Sequence, residues 1–208
     1  MHDGHHDDHD HAPITDGEGS VSRFEVLEQS IRELLIEKGI LSAQAIADRI
    51  DVLDSRNPSL GAQVVARAWT DEAYKARLLA DPRAAIGELG IDIGHLAEFG
   101  VLENTDQVHH VVVCTLCSCY PKMLLGVPPA WYKSSAYRGR TVREPRAVLG
   151  EFGVTLADDV AVRVYDSTAD LRYLVLPRRP DATAGWDADQ LAAIVTRDCM
   201  IGTALPQA

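Results

Sequence analysis

Three cysteines within six residues, in Val113-Cys114-Thr115-Leu116-Cys117-Ser118-Cys119-Tyr120, constrain this chain more than any other stretch. Sulfurs so crowded can close around only one small object, and a metal ion meets that demand. A disulfide with a spare thiol is the competing reading, but neighbours in so short a loop fit disulfide geometry poorly. Structural zinc wants four side-chain ligands, usually from two separated pairs, and this chain has no second cysteine pair. Cys117 and Cys119 are one residue apart, so when both sulfurs reach one ion the backbone amides of Ser118 and Cys119 come close to it as well. A mixed claw of sulfur and amide nitrogen suits a trivalent transition metal better than zinc, magnesium or calcium, and it leaves one coordination position open.

The rest of the chain says what supports such a loop. Its 208 residues, 46% apolar and 25% charged, are ordinary for one main domain with an extra arm. The reading divides it into a disordered His/Asp-rich tail (1–20), a helical arm (21–90) and a metal-binding α+β domain (91–208). The tail interleaves His2, His5, His6, His9 and His11 with acids and has no Lys or Arg, so more than half of the net charge of −11 sits there. It reads as a solvated segment, with weak scavenging of divalent cobalt as the functional alternative. An acidic surface makes nucleic acid a poor partner. The absence of an apolar run near the ~18 residues of a bilayer span argues against a membrane protein. Few cysteines and no hydrophobic leader imply a cytoplasmic protein.

Ser22 and Glu25 read as a capping box ahead of Leu27, Ile31, Leu34 and Leu35 at helical spacing, with a stop at Gly39. Ser42 opens a second helix, Asn57-Pro58-Ser59 is a break, and Val64, Val65, Ala68 and Trp69 return to helical register. Thr70 is placed as the cap of a segment bearing Tyr74 and Leu78, and Asp81-Pro82 as the cap and first turn of another. After Gly90 the pattern changes. Gly100 to Glu103 and His109 to Val113 read as strands, the second delivering the claw. Glu144 to Phe152 reads as a helix, Val160 to Asp166 and Leu171 to Leu176 as strands across a turn at 167–170, and Asp187 with Gln190 caps a last helix. Helices first and mixed elements later make an α+β fold with a helical N-terminal arm.

The claw sequence resembles the metal-binding signature of nitrile hydratase α subunits and the related thiocyanate hydrolases, with Thr115 as in the cobalt members. The likeness continues through Gly126 to Ser134, Tyr137-Arg138 to Arg146, Arg172 to Pro180 and Val195 to Gly202. It implies a nitrile hydratase α-subunit-like fold, one Co3+ per chain, Cys114 as axial thiolate, Cys117 oxidised to a sulfinic acid and Cys119 to a sulfenic acid. Ser118 and Cys119 would add amide nitrogens, and Cys117 and Cys119 would carry the catalytic role. The resemblance also implies a β-type partner subunit that the N-terminal arm wraps, a metallochaperone or activator, and a small-molecule nitrile as substrate. His109 and His110 precede the claw but are expected to be structural, as is Cys199. Arg138, Arg140, Arg143 and Arg146 are expected at the partner interface.

One departure bears on the substrate. Related α subunits usually follow Tyr-Pro with Trp-Pro; this chain has Lys122-Met123. Loss of that tryptophan implies a pocket, walled by Lys122, Met123 and Trp131, with room for a bulky or heteroaromatic nitrile. The alternative is a cation facing thiocyanate, where thiocyanate hydrolase places an arginine. Rivals from other classes are a noncatalytic cobalt-binding protein and a redox sensor; neither requires the matching residues beyond the cysteines.

Overall fold

The structure, a computed structural model, describes residues 23–94, 97–116 and 119–208. The tail, Ser22, Cys117 and Ser118 therefore lie outside the described residues. Contacts divide the chain into two compact units at Asp48/Arg49.

In the first unit, α1 (Arg23–Glu37) ends near Gly39, whose φ of 65° permits the left-handed turn. Ser42 Oγ accepts from the Ala45 amide at 3.0 Å and opens α2 (Ala43–Asp54). Neither helix has a buried residue, and Phe24, Leu27 and Ile31 of α1 are exposed.

The second unit begins within α2 and contains every strand. Asn57 caps α3 (Pro58–Thr70) by accepting from the Ser59 amide, with Pro58 in the first turn. The next helix, α4 (Glu72–Ala80), is capped one residue later than the sequence suggests: Asp71 accepts from the Tyr74 amide, while the Thr70 hydroxyl bonds back to Ala66 and Arg67 carbonyls inside α3. A carboxylate is the better acceptor for the positive end of a helix. Asp81 caps α5 (Pro82–Gly87) as expected.

Strands β1 (Glu98–Glu103) and β2 (Val108–Val113) follow, then four short helices: α6 (Lys122–Leu125), α7 (Ala130–Lys133), α8 (Ser135–Arg143) and α9 (Pro145–Glu151). After them come β3 (Ala161–Asp166), β4 (Leu171–Leu176), α10 (Ala188–Ala193) with its Asp187/Gln190 capping box, and α11 (Arg197–Ile201). The fold is α+β. Although only residues 167–170 separate them, β3 and β4 do not pair with each other. β4 lies parallel to β1, Glu98 opposite Leu171 through Glu103 opposite Leu176, and β3 parallel to β2, Val108 opposite Ala161 through Val113 opposite Asp166. Parallel pairing needs long crossovers, which α6–α9 supply between β2 and β3.

The core joins Val64, Val65 and Ala68 of α3 to Leu78, Ile86, Leu124, Leu125, Leu174, Leu176, Met200 and Ile201. Gly61 lets α3 approach closely: a Cβ there would stand 2.5 Å from Met200 Sδ and 2.7 Å from Leu125. Gly202, at φ 90°, ends α11 against β2, where a Cβ would overlap the His110 carbonyl oxygen. These contacts make the C-terminal end of β2 a rigid platform, and the cysteine loop starts on it.

Candidate metal centre

Cys114 is the first residue beyond β2 and is buried; Cys119 is buried too. The described backbone between and beside them is tied down by five groups. Asp166, at the end of β3, accepts the Thr115 amide at 2.9 Å and also the Thr115 hydroxyl. Parallel register puts this carboxylate there, because Asp166 lies opposite Val113. From α8, Arg138 Nη1 donates to the Thr115 carbonyl at 3.3 Å. Tyr132 of α7 donates its hydroxyl to the Cys119 carbonyl at 2.9 Å, and Tyr137 donates to the Val112 carbonyl at 2.7 Å. Burial pushes the Tyr132 and Tyr137 phenols well above their ordinary range, so both stay protonated donors. Finally, the Ser167 amide donates to Val113 O at 2.7 Å.

This donor set is a fit to a thiophilic transition metal and a misfit to magnesium or calcium, which want oxygen. Cys114 and Cys119 are the described sulfurs at the loop; Cys117 and Ser118 fall outside the described residues. Among the described residues no three His, Cys, Asp or Glu side chains gather as a metal-binding group. His109 and His110 are both buried, but they are engaged elsewhere. Asn104 Nδ2 donates to His109 Nδ1 at 3.1 Å, and His109 Nε2 faces the Gly202 carbonyl at 2.7 Å. That arrangement fits a neutral imidazole donating from Nε2. Asn104 Oδ1 accepts the His110 amide at 2.7 Å and lies 3.1 Å from its Nδ1. Desolvation lowers the pKa of both rings.

Directly after Cys119 the chain turns through Tyr120-Pro121 into α6 and lines a cavity of about 500 Å³. Lys122 and Met123 line it together with Arg49, Leu53, Phe99 and Arg172. Trp131 is not among its lining residues. Its ring instead packs edge-on to Tyr137 and Phe152, with centroids 4.8 and 4.7 Å away, so it steadies the tyrosines that hold the loop. Cys199, in α11, is buried beside Thr196 Oγ1 at 3.2 Å, and burial raises its pKa; it acts as packing.

The arginine run after Tyr137 is largely engaged within the chain. Arg138 holds the loop, Arg140 pairs with Glu144 and Glu151, and Arg146 donates to carbonyls of residues 156–160. The expectation of a partner interface for this cluster comes from the family resemblance; which carbonyls and carboxylates each guanidinium reaches within the chain is visible only in the fold. Asp166 was missed for a related reason. An aspartate ending a strand is unremarkable until β3 is known to lie beside β2.

Comparison with known proteins bears on the family of the whole chain. The family described as nitrile hydratase, alpha chain matches residues 22–204. The low-molecular weight cobalt-containing nitrile hydratase subunit alpha of Rhodococcus rhodochrous is 50% identical over 179 residues, covering 86% of each chain. Thiocyanate hydrolase subunit gamma of Thiobacillus thioparus is 46% identical over 198 residues, 90% of this chain and 82% of that one. A solved recombinant thiocyanate hydrolase with partially modified cobalt centres superposes with a TM-score of 0.85 at 45% identity, covering 90% of this chain and 92% of its own.

Proposed function

Because this chain belongs to the nitrile hydratase α-chain family, we propose that it is the metal-holding α subunit of a cobalt nitrile hydratase, adding water to a nitrile to give the amide. The observation that carries this reading is the pair of buried cysteines, Cys114 and Cys119, on backbone braced by Asp166, Arg138, Tyr132 and Tyr137 and followed by a cavity of about 500 Å³. Neither a storage protein nor a redox sensor needs the cavity or a family match that runs from residue 22 to 204.

In this reading the sulfurs of Cys114 as thiolate, Cys117 as sulfinate and Cys119 as sulfenate, with the amides of Ser118 and Cys119, would hold one Co3+ per chain. When bound, the ion supplies Lewis acidity toward a nitrile or water. The protein's part is to fix the ligands. Asp166 and Arg138 hold the two peptide groups flanking Thr115, and Tyr132 orients the carbonyl of Cys119, so the described backbone beside Cys114 and Cys119 is held in place. Tyr120, Lys122 and Met123 shape the space into which the substrate enters.

The partner is a β-type subunit. The exposed apolar face of α1, with Phe24, Leu27 and Ile31, supports a docking role for the arm. A metallochaperone that loads cobalt and a cytoplasmic location belong to the same reading, since unoxidised thiols must survive until the metal arrives. No helix among the described residues is long and apolar enough to cross a membrane.

A second reading, thiocyanate hydrolysis, is favoured by one observation: Lys122, where tryptophan is usual, lines the cavity. Co-expression with neighbouring reading frames, followed by assays on a bulky nitrile, a small nitrile and thiocyanate, decides between them. Amide formation from the bulky nitrile is expected. Efficient thiocyanate turnover without nitrile hydration would overturn the leading choice.

A further inference from the structure

The cavity beside the loop has a character that size alone does not describe. Its apolar walls include Leu53, Phe99 and Met123, and its charged lining is Arg49, Lys122 and Arg172. Among the described residues that line it, none is Asp or Glu. This runs against the composition, since the whole chain has 31 acids and only 20 Lys and Arg.

Nor are these cations neutralised from outside the cavity. The ion pairs among the described residues use Arg32, Arg67, Lys75, Arg77, Arg140, Arg178 and Arg197 as cations, and none uses Arg49, Lys122 or Arg172. Arg172 is anchored by donating Nη1 to the Thr168 carbonyl, which orients the guanidinium and leaves its charge uncompensated. Three cations of one sign against low-dielectric walls focus a positive potential into the space between them.

Two features then have to be satisfied by one occupant. A volume of about 500 Å³ lies within the range that takes drug-sized ligands, and a triatomic anion would leave most of it to water. A neutral aromatic nitrile would fill the apolar part and leave the positive potential of the three cations without a counter-charge, forgoing the attraction that an anionic group there would gain. We infer that the cavity selects a bulky heteroaromatic nitrile carrying an anionic substituent, a carboxylate or phosphate group, with Arg49, Lys122 and Arg172 as its specificity residues. This rests on the nitrile hydratase reading and narrows its substrate class. Lys122 then has a role that neither a widened neutral pocket nor a thiocyanate site gives it: it takes part in recognising a charged group on a large organic body.

The test uses the cobalt-loaded complex with its partner subunit and one heteroaromatic nitrile made in three matched forms, bearing a carboxylate, a neutral carboxamide or an aminomethyl cation. The carboxylate form is expected to exceed the neutral form in kcat/KM by about tenfold, with the cation poorest, as two or three partly exposed charge contacts allow. Raising the salt to about 1 M, where the screening length falls to ~3 Å, should shrink that ratio severalfold. Arg49→Gln, Lys122→Gln and Arg172→Gln should each lower it toward one. Arg49 is exposed on a helix, so its variant is expected to fold even where the other two do not.

Calorimetry with the carboxylate-bearing amide product supplies a readout without turnover: it should bind about tenfold tighter than the neutral amide, and Arg49→Gln should reduce that difference. Nitrile hydration with the neutral form equal to or better than the anionic one would overturn this inference and leave the nitrile hydratase reading standing. Hydration of none of the three, with thiocyanate turned over, would overturn the reading itself.

Discussion

Helices α1 and α3 both present an apolar stripe, yet they end in opposite circumstances. α3 buries Gly61, Ala62, Val64, Val65, Ala66 and Ala68 within its own unit, whereas α1 buries nothing and leaves Phe24 80% exposed. Hydrophobic spacing marks a helix that needs a neighbour without saying whether the same chain supplies it. Where it does, as at α3, the result is a platform rigid enough to carry the cysteine loop. At α1 the stripe stays exposed, and the proposed β-type subunit is what would cover it.

The contrast can be broken most sharply at the loop. Cys114→Ser, Cys117→Ser and Cys119→Ser are each expected to abolish activity of the assembled enzyme, since each removes a proposed ligand. Cys199→Ser, which alters only a packed thiol, should retain most of it. Comparable losses at all four positions would mean that this division of the cysteines is wrong.

Next comes the contrast between the helices themselves. Val65→Asp places an unpaired charge in the core and should cost the chain roughly 3–5 kcal/mol. Ile31→Asp should change its stability by no more than about 0.5 kcal/mol while weakening association with the β-type subunit by tenfold or more. Urea denaturation and a partner-binding titration check both halves. A large stability loss from Ile31→Asp would show that α1 is already satisfied within the chain.

A smaller effect is expected from the brace. Asp166→Asn keeps the shape but weakens the acceptor for Thr115, and should lower metal retention or activity by about 10- to 100-fold with little change in overall stability. Smallest is the pH dependence of folding. Because burial lowers the pKa of His109 and His110 below 6.5, the unfolded chain takes up protons that the folded chain refuses as pH falls below about 6.5. Stability should therefore decline toward acid, by at most about 1.4 kcal/mol per pH unit per histidine, and His109→Gln should flatten that slope.

Much of the architecture is legible in residue types because it rests on local chemistry. Asp81-Pro82, Asp187 with Gln190, and the change of period after Gly90 all act over a few neighbours. What spacing misses is long-range. The short link at 167–170 looks like a hairpin turn, yet both strands it joins pair in parallel with strands some fifty to seventy residues earlier. From that pairing follows the position of Asp166. Likewise Arg49 and Arg172, 123 positions apart, converge on the cavity with Lys122, and only Lys122 stood out, because it interrupts a known signature. The cysteines were conspicuous by crowding; the groups that hold them were not, because each is an ordinary residue in an ordinary element.

The central claim, that this loop is a cobalt claw with oxidised sulfurs, is tested most directly by intact and peptide mass spectrometry with metal analysis of the complex grown with cobalt. The account predicts about one cobalt per chain, two added oxygens on Cys117 and one on Cys119. An active complex with stoichiometric zinc and unmodified thiols would contradict it.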